Sequence, residues 1–153
     1  ATAPRDPGPV NRALDPTITA HGFRAVRAAG AHAIAHDPIS IAVAETGVLY
    51  PDHVVFLETA PLVIDLADDL AGALAAERAA DRARPKWLIV RGVGVAIADG
   101  AIRGAEEMIG CLADVAARIP ADAPLNYLDD AEIAALTDWD SERYRQQLAM
   151  EAA

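Results

Sequence analysis

Cysteine is nearly absent. With Cys111 alone in 153 residues, no disulfide framework can form within the chain, and a reducing, cytoplasmic compartment is expected. Aromatic residues are also few, two Phe, three Tyr and two Trp, too sparse for the stacking platform that single-stranded nucleic acid needs. Basic residues are outnumbered, 13 Lys and Arg against 23 Asp and Glu, for a net charge of -10. Nucleic acids and anionic membranes are both held by Lys and Arg that neutralise phosphates, so neither is an expected partner. No apolar run approaches the roughly 20 residues that cross a bilayer. The chain carries no P-loop, no GxSxG elbow and no HExxH pair. Gly92 and Gly94 make only a GxG, with a helix expected after Asp99, which does not give the phosphate cradle of a dinucleotide site.

What is present is a globular composition, 53% apolar and 24% charged, in a length that suits one domain with a real core. Its centre of organisation is 86–119. Trp87, Leu88, Ile89 and Val90 form a short, unbroken apolar run that predicts a strand covered on both faces. Arg91 and Gly92 end it, residues 93–98 resume strand character, and Asp99-Gly100 has turn chemistry. A helix is expected over 102–119, with Ile102, Ala105, Ile109, Leu112, Ala116 and Ile119 on one face, and Arg103, Glu106, Glu107, Asp114 and Arg118 opposite.

Residues 1–16, with Pro4, Pro7 and Pro9 around Gly8, read as an extended linker, either from a preceding domain or left at a processed end. A helix is expected over 18–35, with Phe23, Val26 and Ile34 as scattered apolar contacts and Gly22 and Gly30 weakening it. His32 and His36 then stand four apart on one helical face, a spacing that can hold a metal if Asp37 and a further ligand join. The reading weighed more heavily is two partly exposed histidines near a helix C-terminus. A short helix is expected over 39–45, stopped by Gly47. A loop bearing Tyr50, Asp52 and His53 then enters a strand over 54–58, where Asp52 and His53 offer an acid/base pair or, more simply, a turn cap and a packed ring. A strand over 62–65 and a helix over 66–83 follow. Past Pro120 come a connector with Asn126 and Tyr127, short helices over 129–133 and 140–150, and Trp139 as the anchor between them. The alternation predicts an α/β layered fold, a mostly parallel or mixed sheet flanked by helices, as a single domain over 17–153.

The segment Arg91-Gly92-Val93-Gly94, VAIAD and AIRGAEEMIGCLADVAARI resembles the C-terminal half of the class II aldolase/adducin family, where a strand ending in Arg-Asn-His-Gly leads to a strand, a turn and a long helix. YPDHVVFLE, PLNYL and WDSERYRQ are similar to the region that follows the aldolase domain in some bacterial members. The resemblance implies metal-dependent carbon-carbon cleavage of a hydroxy-carbonyl sugar or sugar phosphate, with zinc held by three histidines. Val93 stands where one of those histidines would be, and no His-x-His supplies the other two, so no catalytic or metal residue carries over. Three expectations follow. The chain is a catalytically silent C-terminal domain that packs against an aldolase domain or a copy of itself. Alternatively, it is a ligand-binding module or stand-alone enzyme, with Tyr50, Asp52, His53, Arg91, Asn126 and Tyr127 converging at the strand ends and Arg91 clamping an anion. The third is a pure oligomerisation domain.

Overall fold

The computed structural model describes residues 14–151, with only the backbone described at 140–142 and 144–151. Four strands, β1 (Phe23–Ala25), β2 (Leu62–Ile64), β3 (Trp87–Val90) and β4 (Gly94–Ala98), form one mixed sheet in the order β1-β4-β3-β2. β2 lies parallel to β3 with Ile64 opposite Val90, β3 and β4 form an antiparallel hairpin, and β1 runs antiparallel to β4 with Ala25 opposite Ala96. The fold is therefore of the α/β layered kind, with a mixed sheet.

The period-2 alternation of side chains divides the core in two. Trp87, Ile89, Val95 and Ile97 project to one face, and Leu88, Val90 and Ala96 to the other. The first face is covered by the 3₁₀ helix Ala29–His36 and by α2 (Pro38–Thr46), α3 (Pro51–Leu57) and α5 (Ala105–Ala116). Ile109 and Leu112 of α5 are fully buried there, each contributing about 2 kcal/mol through area removed from water. The second face is covered more thinly, by Leu14 and Ile18 of α1 (Leu14–Ile18) and by Leu70 of α4 (Leu70–Ala79). Leu14 is buried, so the packed chain already includes residues assigned above to the linker, while 1–13 lie outside the described residues. Among the described residues no helix is long and apolar enough to cross a membrane.

Several elements differ from the sequence expectation, each for a local reason. Residues 18–35 are not one helix. After α1 a 3₁₀ turn, Thr19–His21, closes on Gly22 in the left-handed region at φ 78°, and Phe23–Ala25 then satisfies the edge of β4, which outweighs the alanine-rich propensity. Residues 54–58 are not a strand. Pro51 opens α3, and the buried residues His53, Val54 and Leu57 are spaced for a helix face rather than for alternation. Residues 66–69 are held out of α4 by a turn in which Asp68 Oδ2 accepts from the Asp65 amide at 2.6 Å and the Asp68 amide donates to Asp65 O at 3.0 Å. α5 begins only at Ala105 because Gly104 takes φ 95°, leaving Ile102 55% exposed. The two expected C-terminal helices are one, α6 (Asp130–Glu151), packed on α3. A reciprocal capping box starts it: the Glu132 amide donates to Asp129 Oδ1 at 2.8 Å and the Asp129 amide to Glu132 Oε2 at 2.9 Å. Trp139 is no anchor. It is 58% exposed, with the Arg143 guanidinium 4.8 Å from its ring centre.

Candidate functional site

His32 and His36 part company because the helix that carries them, Ala29–His36, is 3₁₀. At three residues per turn, positions four apart point about 120° away from each other instead of sharing a face. His32 is completely buried. The Val95 amide donates to its Nδ1 at 3.0 Å, so the ring hydrogen sits on Nε2, which donates to Val26 O at 2.8 Å. The Val26 amide donates directly to Val95 O at 3.1 Å. In an antiparallel hydrogen-bonded pair the reciprocal bond would run from Val95 N to Val26 O. Here an imidazole is inserted into that bond, extending the β1–β4 ladder past the end of β1.

His53 is also completely buried. Its Nε2 lies 3.2 Å from Thr59 O, which also accepts from Trp87 Nε1 at 3.3 Å. Its ring packs against Trp87 and edge-on to Tyr50. Burial pushes its pKa down, and the hydrogen bond to Thr59 only partly opposes this. Burial likewise raises the Tyr50 hydroxyl, with the Cys111 and Asp52 charges adding to it. Neither Tyr50 Oη nor His53 Nδ1 has a hydrogen-bond partner among the described residues. Asp52 sits exposed in the first turn of α3. His53 and Asp52 are thus parts of a helix packed on the sheet, not an acid/base pair at a strand mouth.

Tyr127 does the anchoring expected of Trp139. Its hydroxyl donates to Val43 O at 3.1 Å, its ring lies against Gly47, and the next amide, Leu128, donates to Val48 O at 2.8 Å. Asn126 beside it is exposed. The six expected site residues are therefore not brought together. Tyr127 lines one cleft against α2, with Ile39, Val43 and Ile119. Arg91 lines another, and Tyr50, Asp52, His53 and Asn126 line neither.

The cleft at Arg91 has the position that α/β folds use for ligands, the carboxyl ends of parallel strands, here β2 and β3. Its walls come from three elements: Ala35 and His36 at the end of the 3₁₀ helix, Pro38, Ile41, Ala42 and Glu45 along one face of α2, and Arg91 and Gly92 in the β3–β4 turn. Its volume is about 460 Å³. The Gly92 amide donates to Ala35 O at 2.7 Å, which locks turn to helix, and Gly92 takes φ 68°, a conformation that favours glycine. Asp37 caps α2, accepting from the Ser40 amide at 2.9 Å and its hydroxyl at 2.6 Å. The guanidinium of Arg91 is half exposed and 3.3 Å from Asp65 Oδ2, at the end of β2. His36 Nε2 is buried without a partner among the described residues. Sequence reasoning found Arg91 and His36 but not their meeting. The available signal for the rest was the 38, 41, 42, 45 spacing, which is one face of a helix.

The zinc that the aldolase resemblance implies does not fit the residues present. Val93 is a buried aliphatic side chain packed into the second core cluster, and both ring nitrogens of His32 are already bonded. Among the described residues no group of three or more His, Cys, Asp or Glu is placed to hold a metal ion. No family model matches the chain, and no curated protein or solved structure matches it. Fold and site define a mixed α/β domain with a strand-end cleft.

Proposed function

We propose that the chain is the C-terminal domain of a class II aldolase-like protein, cytoplasmic, and that it serves assembly or the shaping of a site rather than cleavage itself. The observation that carries this reading is a sheet of four strands whose two outer members, β1 and β2, are paired on one side only among the described residues. A sheet with two open edges invites another domain or a second copy to continue it. The strand–turn–strand–helix unit of the resemblance runs through β3, β4 and α5, and Val93 in its turn is packing. The partner on this reading is a preceding aldolase domain or another copy, in a homo-oligomer.

The test is mass in solution by light scattering, together with assay for divalent-metal-dependent cleavage of sugar phosphates. A dimeric or larger mass without cleavage activity is expected. A strictly monomeric protein, or one that cleaves hydroxy-carbonyl phosphates on its own, would overturn the proposal.

A further inference from the structure

The cleft of α2, the 3₁₀ helix and the β3–β4 turn is lined by one cation, one carboxylate and one imidazole beside apolar side chains. Arg91 supplies the cation, Glu45 the carboxylate, His36 the imidazole, and Pro38 and Ile41 the apolar wall. At about 460 Å³ the space falls in the range of small-molecule pockets. Its walls are fixed by the Gly92 to Ala35 hydrogen bond, so binding requires little ordering of the protein.

We propose that this cleft binds a small monocarboxylate carrying a hydroxyl or amino group beside its carboxyl, a 2-hydroxy or 2-amino acid with a short apolar side chain. The guanidinium suits a planar carboxylate, which it can engage through two parallel N–H donors. Asp65 holds Arg91 only through one 3.3 Å contact between half-exposed to exposed side chains, a pair weak enough for a ligand carboxylate to displace. Glu45 accepts from the ligand's hydroxyl or ammonium, and the side chain lies on Pro38 and Ile41 beside the His36 ring. The charge balance selects against phosphate. A dianion would meet a single cation flanked by Glu45 and Asp65, in a chain of net charge -10. The inference stands on the cleft alone and does not depend on the aldolase-like reading.

The test is a titration of ¹⁵N-labelled protein with lactate, alanine, propionate and inorganic phosphate, followed by amide shifts. Saturable shifts centred on Gly92, His36 and Ala35 are expected with lactate or alanine, weaker ones with propionate, and the weakest with phosphate. Arg91→Met weakens lactate binding about tenfold or more, the loss of a charge-assisted bidentate pair. Asp65→Asn works in the opposite direction, tightening it by up to about fivefold as the competing ion pair is removed. Glu45→Gln narrows the preference of lactate over propionate. The same spectra report whether each variant is folded. Absence of saturable shifts with both lactate and alanine, phosphate binding tighter than lactate, or Asp65→Asn weakening lactate binding would each overturn the assignment.

Discussion

His32 gives the sharpest test of how this domain is held together. Replacing it by leucine keeps most of the volume but removes both hydrogen bonds of the bridging ring, leaving the Val95 amide and the Val26 carbonyl facing an apolar side chain. Each buried group left unsatisfied costs about 1–3 kcal/mol, so His32→Leu is expected to destabilise the domain by about 2–6 kcal/mol. A domain of this size has only about 5–15 kcal/mol in total, so the variant sits near the limit of folding. The ring is also pressed on Gly94, where an added Cβ would stand 2.7 Å from His32 Nδ1 and 3.3 Å from Leu14 Cδ2. Gly94→Ala therefore clashes in the wild-type background and is relieved when His32 is alanine, so the two substitutions are expected to couple by more than about 0.5 kcal/mol in a double-mutant cycle. Urea unfolding of the wild type and the variants measures both quantities. If His32→Leu costs under about 1 kcal/mol, water or a β1–β4 hydrogen bond replaces the ring, and the bridge is not what joins the strands.

Other outcomes are expected elsewhere. The depressed pKa of His53 means that the unfolded chain takes up its proton first as pH falls. Its contribution to stability is constant above about pH 6.5, falls as pH drops from there towards the folded pKa, and levels off below it, with a slope no greater than about 1.4 kcal/mol per pH unit. Urea midpoints across that window should lose this slope in His53→Gln, and an unchanged profile would show that the ring titrates elsewhere or not at all. At Gly104, φ is 95° and a Cβ would lie 2.7 Å from the Phe56 ring. Gly104→Ala is expected to cost at least about 1 kcal/mol in thermal or urea unfolding, since it adds a contact to a strained backbone. Asp129→Ala removes half of the capping box and should lower α6 stability by about 1 kcal/mol, seen as reduced helicity at intermediate urea. The Arg24–Glu106 pair, 2.6 Å apart, holds the Glu106 carboxyl below its usual range, the hydrogen bond from Arg24 being the main cause. Glu106 also accepts from the Arg27 amide at 3.0 Å, so Glu106→Gln is expected to flatten stability between about pH 4.5 and lower values, where the native carboxylate otherwise resists protonation.

The parts of the fold that could be read in advance are those where the hydrophobic pattern reports burial directly. Trp87 to Val90 is apolar at every position because both sheet faces are covered, and α5 shows its stripe because one face packs on that sheet. The misread parts are those where local composition and tertiary demand conflict. Phe23-Arg24-Ala25 lies in an alanine-rich stretch and became a strand only because β4 had an open edge. Val54-Val55-Phe56 has strand composition, yet Pro51 fixes a helix start and buries residues at spacings of one and four. Ile102 belonged to the expected α5 stripe until the backbone of Gly104 cut the helix short.

For the site, the decisive variable was helix type, which composition does not reveal. In an α-helix His32 and His36 would have shared a face, and the pair would have been a metal candidate. In the 3₁₀ helix Ala29–His36 the same spacing sends one ring into the core and leaves the other at the rim of the Arg91 cleft. His32 completes a backbone ladder that ends one residue early, which is a task of architecture. His36, four residues on, is left with a buried Nε2 that has no partner among the described residues. A fully satisfied histidine in the core and an unsatisfied one beside an arginine are different kinds of residue. The first has no hydrogen-bonding capacity left to offer, whereas the second lines the cleft beside the cation that a ligand carboxylate would meet.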